Sequence, residues 1–205
     1  MKTPIKNGIF LQYPLGDVTQ YFGENPELYK KIGLSSHNGI DLVRPWGEHL
    51  FAVESGVICD LKESADGYGR HIRILAPQKD GTFREWTYGH LSIIDVYLGQ
   101  EVVEGQFVGC MGNTGFVVSG DTPYWESNPF AGTHLHFGLR IAERNKNGWQ
   151  YPYQGSPSVV IRDYENGTHG SIDPLTAFFS PRGLKVRAVA ERFKSKFSYQ
   201  IATKL

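Results

Sequence analysis

Short runs of β-branched and aromatic residues, separated by glycine-rich turns, constrain the fold of this chain more than any other feature. Between residues 39 and 118 the segments GIDLV, LFAVESGVICDLKE, GRHIRILAP, FREWTYGHLSII and GQFVGCMG alternate in polarity or are continuously apolar. DGYG, QKDG and VEGQ separate them with residues that are typical of turns. This pattern predicts strands throughout the region. After a segment rich in glycine, proline and aromatic residues, THLHFGLRIAE predicts one more strand.

The two ends of the chain differ from the middle. Residues 1–36 predict an irregular, aromatic-rich lead-in with one or two helical turns in NPELYKKIG, and residues 145–172 predict loops. From about residue 183 apolar side chains recur every three or four positions, which predicts an amphipathic helix. We therefore expect one mainly β domain over residues 1–182 and a C-terminal helical tail over residues 183–205.

The predicted tail helix has an apolar stripe and a basic face. The stripe consists of Val186, Val189, Phe193, Phe197 and Ile201. Acidic Glu191 stands among the basic residues Arg182, Lys185, Arg187, Arg192, Lys194, Lys196 and Lys204. The stripe can dock onto the domain or onto a second copy, where burial of each phenylalanine contributes about 1.5 to 3 kcal/mol. Alternatively, the basic face can bind a membrane surface or an anionic wall polymer.

Composition narrows the possible partners and compartments. Lys and Arg together number 21, as do Asp and Glu, so no net charge directs this chain of 205 residues to nucleic acid. The 2 cysteines, Cys59 and Cys110, are too few for a disulfide framework, and their apolar neighbours predict buried free thiols. No run approaches the ~18 apolar residues of a transmembrane helix, and residues 1–16 lack the apolar core of a signal peptide.

The motif HLH predicts a pair of imidazoles on one face of a strand. Residues two apart in a strand point to the same side, so His134 and His136 lie side by side while Leu135 and Phe137 face the core. Two adjacent imidazoles both need partners, and they repel each other when both are charged. A metal ion that binds one neutral ring and leaves the other for substrate or water satisfies both requirements.

The motif HNGIDL supplies a second set of donors. Strand alternation points Ile40 and Leu42 one way and Asp41 the other, and Gly39 leaves room for a close approach. His37, Asp41 and an imidazole of HLH, with a fourth position for water, would form an open catalytic zinc site. Neither motif contains cysteine, which argues against a structural zinc cluster.

HNGIDL, TYGHLS and GTHLHF, in this order, resemble the three signatures of the lysostaphin/LytM-type zinc metalloendopeptidases, which cut peptide bonds in the stem peptides or cross-bridges of bacterial peptidoglycan. VESGVI, GYGRHIRI, GQFVGCMGNTG and DPL extend the resemblance over roughly residues 15–180. The resemblance implies a mainly β, β-sandwich-like core of the duplicated hybrid motif type with long loops. It also implies one Zn²⁺ per chain held by His37, Asp41 and His136, with His90 and His134 beside it as catalytic residues.

The sequence contains no HExxH motif, so no helix-borne glutamate can serve as general base. His90 and His134 are the groups that can take a proton from water, stabilise the oxyanion or protonate the leaving amine. Which of the two takes which role is open at the level of sequence.

The chain departs from the family pattern where FVVSGDTPYWESNPFAG precedes the HLH motif. We expect the size of this loop to affect substrate preference rather than the zinc site. Aromatic side chains on loops often form recognition surfaces. The residues assigned to a substrate groove on this basis are Tyr88, Tyr124, Trp125, Phe130, Trp149, Tyr151 and Tyr153. The alternative is that they only hold a long loop against the core.

The predicted function is zinc-dependent hydrolysis of peptide bonds in bacterial peptidoglycan, in the cell envelope or outside the cell. A phage lysin, a virion-associated hydrolase and a bacterial enzyme whose leader has been removed all fit this prediction. One alternative is a catalytically silent binding or scaffold protein of the same fold. Another is a histidine phosphocarrier, because HNGIDL also resembles a motif of the glucose-type enzyme IIA proteins. Such a carrier has no use for HLHF or YGHL.

Overall fold

The computed structural model describes residues 2–11, 13–119, 122–123, 128 and 130–179. The chain divides into two compact units, Met1–Asp173 and Pro174–Leu205. The second unit begins with a turn of 3-10 helix, Pro174–Ala177. The helix predicted for residues 183–205 lies outside the described residues, and the boundary at residue 182 stays a prediction.

The first unit is built mainly from antiparallel strands. It also contains one short helix, α1 (Pro26–Tyr29), which continues as a 3-10 turn, Lys30–Ile32, in the predicted segment NPELYKKIG. The strands in the described part of the chain are β1 (Val18–Gln20), β2 (Ile40–Leu42), β3 (His49–Phe51), β4 (Gly56–Lys62), β5 (His71–Pro77), β6 (Phe83–Gly89), β7 (Leu91–Ile94), β8 (Glu101–Val102), β9 (Phe107–Met111), β10 (Val118–Ser119), β11 (Thr122–Pro123), β12 (Leu135–Gln150), β13 (Ser158–Ile161) and β14 (Ser171–Ile172).

Three sheets organise these strands. The large sheet has 9 strands in the order β1-β2-β12-β6-β5-β4-β8, and β13 and β14 also pair with β12. A second sheet has the order β3-β9-β7, and β10 pairs with β11. The mainly β fold class is therefore confirmed. The long strand β12 contacts the largest number of other strands and is the centre of the large sheet.

One face of the large sheet forms the main apolar core. Ile72 and Ile74 on β5 lie opposite Tyr88 and Trp86 on β6, and all four side chains are fully buried. Phe137 on β12 stacks on Trp86, with ring centroids 5.0 Å apart. Residues opposite each other in paired strands share a face, so this core follows directly from the alternation of apolar residues in the three strands.

The other face of the same strands carries polar side chains. Across β12 and β6 the pairs on this face are His136 with Gly89, Gly138 with Thr87, and Arg140 with Glu85. The alternation that builds the core therefore also aligns a row of polar groups along β12.

The strands predicted between residues 39 and 118 are confirmed, as are the free, buried thiols of Cys59 and Cys110. The prediction of loops over residues 145–172 is wrong in part, since β12 continues to Gln150 and pairs with β13. The apolar run of β13 is only four residues long and lies between turn-forming segments, so its sequence pattern is too short to distinguish a strand from a loop.

The hydroxyl of Tyr88 connects the large sheet to the end of β3. It donates to the carbonyl of Phe51 at 3.0 Å and accepts from the amide of Val53 at 3.0 Å. We expect Tyr88→Phe to lower the free energy of unfolding by about 1 to 3 kcal/mol, because the substitution leaves buried backbone groups without partners. Urea denaturation measures this change, with the exposed Tyr97→Phe as control. Equal stability of the two variants would contradict the predicted connection.

Candidate metal centre

Strand pairing brings the predicted site together from two distant segments. Asp41 on β2 lies opposite His136 on β12. His37 stands four residues before Asp41, ahead of the strand, and its ring is fully buried. The three side chains form a group that can hold a metal ion. The structure thus places the three residues that the family resemblance suggested as ligands in one cluster.

Three atoms of this group form a nearly regular triangle. His37 Nε2 lies 3.1 Å from Asp41 Oδ1 and 3.1 Å from His136 Nδ1, and His136 Nδ1 lies 3.2 Å from Asp41 Oδ1. The edges are short enough for one small cation to contact all three atoms.

The hydrogen bonds of His37 show which of its nitrogens carries a lone pair. Its Nδ1 lies 3.0 Å from the carbonyl oxygen of Tyr21, which can only accept, so Nδ1 holds the proton. Nε2 of neutral His37 is then an acceptor that points at another acceptor, Asp41 Oδ1. A proton or a metal ion between them removes this repulsion. The donor arrangement therefore fits a bound cation.

The electrostatics of the group are consistent with this conclusion. Burial opposes ionisation of Asp41, but His134 and His37 outweigh it and hold the pKa of the carboxyl well below its usual range. Burial also opposes protonation of His37, and the Asp41 carboxylate overcomes it and raises the pKa of that imidazole. Burial lowers the pKa of His136. The group therefore offers an ionised carboxylate and a neutral imidazole at neutral pH.

His90 and His134 lie beside the triangle with their ring centroids 4.7 Å apart. His90 Nδ1 donates to the carbonyl of Thr114 at 2.7 Å, and His134 Nδ1 donates to the carbonyl of Gly132 at 2.7 Å. In the neutral form of either ring, the lone pair is therefore on Nε2. His134 Nε2 lies 3.8 Å from Asp41 Oδ1.

His90 occupies an unusual backbone position. It separates β6 from β7 with a φ of 64°, in the left-handed region that non-glycine residues rarely adopt. Backbone hydrogen bonds hold this conformation, since its amide donates to the carbonyl of Tyr68 at 2.7 Å. Burial and the neighbouring His134 keep the pKa of His90 well below its usual range. Its imidazole is therefore neutral near pH 7.

These side chains form part of the lining of a cleft of about 640 Å³. Its polar part includes Asp41, His90, His134 and His136. Apolar side chains from the lead-in and from the loop after β9 also line it, and these are Leu28, Ile32, Leu34, Phe116 and Val117. An extended peptide can lie between the two parts, with its backbone over the imidazoles and its side chains against the apolar wall.

Two tyrosines and an asparagine in the cleft were missed at the level of sequence. Tyr68 stacks on His136 with ring centroids 4.9 Å apart, and its hydroxyl accepts a hydrogen bond from Asn38 at 2.6 Å. Tyr29 stacks on His37 at 5.2 Å. The one available signal for Tyr68 was its place in DGYG between two glycines, Gly67 and Gly69, which have positive φ. Such a turn can present an aromatic ring at a strand end.

Those aromatic residues of the predicted groove that the structure describes lie outside the metal cleft. Tyr88 is in the main core, because it lies on the opposite face of β6 from Thr87 and Gly89. Tyr151 is buried in a second apolar cluster against which Tyr153 packs, and the ring of Trp149 lies 6.3 Å from that of Tyr151.

Phe130 lines a neighbouring hollow of about 840 Å³ rather than the metal cleft, and its ring meets Trp46 at 5.6 Å. Tyr124 and Trp125 lie outside the described residues.

The fold and the site are those of an antiparallel β protein with a candidate metal centre in a cleft. A family model described as peptidase family M23 matches residues 35–148. The chain therefore belongs to peptidase family M23, and the resemblance to the lysostaphin/LytM-type enzymes is confirmed.

Similar proteins agree with this assignment. Lysostaphin of Staphylococcus staphylolyticus is 36% identical over 101 residues, which are 49% of this chain and 18% of that protein. Glycyl-glycine endopeptidase ALE-1 of Staphylococcus capitis is 33% identical over 59% of this chain and 29% of its own length. Peptidoglycan DD-endopeptidase ShyA of Vibrio cholerae is 32% identical over 63% of this chain and 26% of its own length. The chain thus spans less than a third of each relative.

Among solved structures, the catalytic domain of lysostaphin from Staphylococcus simulans superimposes with a TM-score of 0.47 at 24% identity. The superposition covers 74% of this chain and 90% of that domain.

Gly39 is required by the packing of the centre. A Cβ at this position would lie 2.7 Å from both Cε1 and Nε2 of the His136 ring and 2.7 Å from the carbonyl oxygen of Phe137. We expect Gly39→Ala to destabilise the protein by roughly 1 to 3 kcal/mol and to displace His136. Thermal unfolding measures the loss. Gly138→Ala is the matched control on the same sheet, because its Cβ comes no closer than 3.3 Å to any neighbour. Equal tolerance of both changes would contradict this account.

Proposed function

We propose that this protein is a zinc-dependent endopeptidase that hydrolyses peptide bonds in the stem peptides or cross-bridges of bacterial peptidoglycan. The triangle formed by His37, Asp41 and His136 carries the proposal, because three potential ligand atoms converge there beside the imidazoles of His90 and His134. Membership of peptidase family M23 supports the reaction class.

The donor set fits zinc. Nitrogen and carboxylate oxygen ligands bind zinc at about 2.0 to 2.2 Å, which corresponds to roughly 3.3 Å between neighbouring ligand atoms in a tetrahedron. The edges of the triangle, at 3.1 to 3.2 Å, are close to this length. Two imidazoles and one carboxylate leave a fourth position open, as in catalytic rather than structural zinc sites.

When bound, zinc would polarise the scissile carbonyl and lower the pKa of a water molecule towards neutrality. The chain's own groups would then move protons. Backbone carbonyls accept from Nδ1 of both His90 and His134, so the neutral form of each ring would present a lone pair on Nε2. One imidazole can accept the proton of the attacking water, and the other can stabilise the oxyanion or protonate the leaving amine.

The activities of the similar proteins support peptidoglycan as the substrate. ShyA is a peptidoglycan DD-endopeptidase, and ALE-1 is a glycyl-glycine endopeptidase. We propose that this chain acts in the cell envelope or outside the cell, with peptidoglycan peptides as its partners. No helix in the described residues is long and apolar enough to cross a membrane.

The presence of all five polar groups favours an enzyme over a silent scaffold protein. His37, Asp41, His90, His134 and His136 meet at one end of β12, which is more than a binding surface requires. Digestion of purified sacculi with different cross-link chemistry, followed by mass spectrometry of the new amino termini, tests the activity and identifies the bond. A protein that binds zinc but releases no new amino terminus from any sacculus would refute the proposed reaction.

Removal of any one ligand should release the metal. We expect wild-type protein to hold one zinc ion, and His37→Ala, Asp41→Ala or His136→Ala to lose it, because each variant keeps only two protein ligands. Elemental analysis after dialysis measures the stoichiometry. His49→Ala is the control, since the His49 ring packs against Phe107 at 4.9 Å outside the cleft. Full zinc occupancy in all three ligand variants would refute the assignment.

The two flanking imidazoles should affect turnover rather than metal content. We expect His90→Ala and His134→Ala to retain zinc and to lose about 10²-fold or more of kcat, because each removes a proton-transfer or charge-stabilising group. Parallel measurement of zinc content and peptide hydrolysis separates the two roles. Loss of metal from His134→Ala together with retention in His136→Ala would reverse their assignments.

A further inference from the structure

A small polar cavity adjoins the metal cleft along the same face of the large sheet. Its volume is about 180 Å³, and Asn38, Tyr68 and His169 line both the cavity and the cleft. The hydrogen bond from Asn38 to the Tyr68 hydroxyl lies in the wall that the two spaces share. A substrate bound over the metal centre therefore has a polar space beside it.

The geometry of β12 fixes how far Arg140, which lines this cavity, lies from the candidate metal centre. Gly138 and Arg140 follow His136 at two-residue steps on β12, so they share its face. The rise of about 3.4 Å per residue places the backbone of Arg140 about 14 Å from that of His136. An extended peptide covers this distance with about four residues.

Two arginines give the cavity its charge. Arg73 and Arg140 line it, together with Thr87, Gly138 and Ser171 among others, and no aspartate or glutamate is in its lining. The guanidinium of Arg73 also lies 6.0 Å from the centre of the Tyr68 ring. The walls therefore present two cations and no anion to a bound group.

The acidic partners of these arginines, Glu85 and Asp60, are not in the lining of the cavity. Glu85 is fully buried, and its two carboxylate oxygens are occupied by Arg140 and by the Tyr151 hydroxyl. Asp60 forms an ion pair with Nη1 of Arg73 at 3.1 Å. These pairs hold both guanidinium groups in place.

The arginines keep unused donors. A guanidinium has five N–H groups, and Glu85 takes those of Nε and Nη2 of Arg140. Nε of Arg73 is buried, lies 3.7 Å from Oε1 of Glu85 and forms no hydrogen bond in the described part of the chain. A planar anion is the ligand that such a pair of forks would recognise.

We propose that this cavity binds a carboxylate of the substrate peptide, within about four residues of the scissile bond. This inference rests on the proposed function and narrows it. A peptide of glycine alone has no side-chain carboxylate, so the cavity favours an acidic stem peptide over a glycine cross-bridge. The carboxylate can belong to a side chain or to the C-terminus, and both present the same planar anion to Arg73 and Arg140.

The test compares synthetic stem peptides that differ only in carboxylate groups. Four versions are needed: all carboxylates free, only the C-terminus amidated, only the side chains amidated, and all amidated. With zinc-loaded wild-type protein, we expect kcat/KM to fall at least tenfold when the recognised carboxylate becomes an amide, because a charge-assisted hydrogen bond is lost. The partly amidated peptides identify whether that carboxylate is terminal or in a side chain.

Variants assign the preference to the cavity. Arg73→Gln should cleave all four peptides within about threefold of one another, with its rate on the fully amidated peptide close to that of wild type. Arg162→Gln is the control, because Arg162 forms a half-exposed ion pair with Glu143 and does not line the cavity. If Arg73→Gln does not fold, the double variant Arg73→Gln with Asp60→Asn removes both charges of the pair and carries the test.

The outcomes separate the two proposals. Equal cleavage of free and amidated peptides by wild type, or an unchanged preference in the Arg73 variants, overturns the carboxylate site and leaves the peptidase intact. If none of the four stem peptides is cleaved, the digestion of sacculi decides the proposed function, and calorimetric binding of the same four peptides decides the carboxylate site. At least tenfold tighter binding of the free-acid peptide, lost in Arg73→Gln, then supports it, and equal binding overturns it.

Discussion

The register of three neighbouring strands, β2, β12 and β6, determines the geometry of the candidate metal centre. It sets Asp41 opposite His136 and His136 opposite Gly89, so backbone hydrogen bonds fix the candidate ligands and the space above them. A slip of one residue would turn His136 into the core and Phe137 towards the cleft. The apolar core on the other face prevents this slip, because Phe137 stacks on Trp86 there. The packing of the core therefore also fixes the geometry of the candidate metal centre.

Much of this arrangement was predictable, because strand alternation is local. Each of the motifs HLH and HNGIDL predicts which of its side chains share a face, and the polar side chains of the two motifs do meet at one site. The choice of ligand nitrogens was not predictable, because it depends on distant partners. In the proposed site His37 would bind through Nε2, because the Tyr21 carbonyl accepts from its Nδ1. His136 would bind through Nδ1, which is the nitrogen that lies beside Asp41 and His37. The contacts that orient each imidazole come from residues distant in sequence and depend on tertiary packing.

The substrate cleft shows where sequence reasoning fails and why. Aromatic side chains occur both in apolar cores and on recognition surfaces, and a loop-like sequence does not distinguish the two. Tyr88 and Tyr151 were assigned to the groove but are buried. Tyr88 lies in the main core, and Tyr151 lies in a second apolar cluster, where its hydroxyl contacts Glu85. The apolar wall that the cleft does have includes Leu28 and Ile32, from a lead-in whose position could not be read from its own pattern.

The polar face of β12 connects the candidate metal centre to the proposed carboxylate site. Residues at two-residue steps run from the imidazole of His136 through the open backbone at Gly138 to the guanidinium of Arg140, so in the proposed peptidase one strand would align the reacting bond and the more distant part of a peptide. Burial of Glu85 and Arg140 would be costly if either stood alone, and their pairing offsets that cost while it fixes the direction of the guanidinium. A flexible surface arginine could attract an anion but would not hold it at a fixed distance from a scissile bond. Because the core on the opposite face holds the strand in register, the spacing between the candidate metal centre and the proposed carboxylate site is as rigid as the sheet itself.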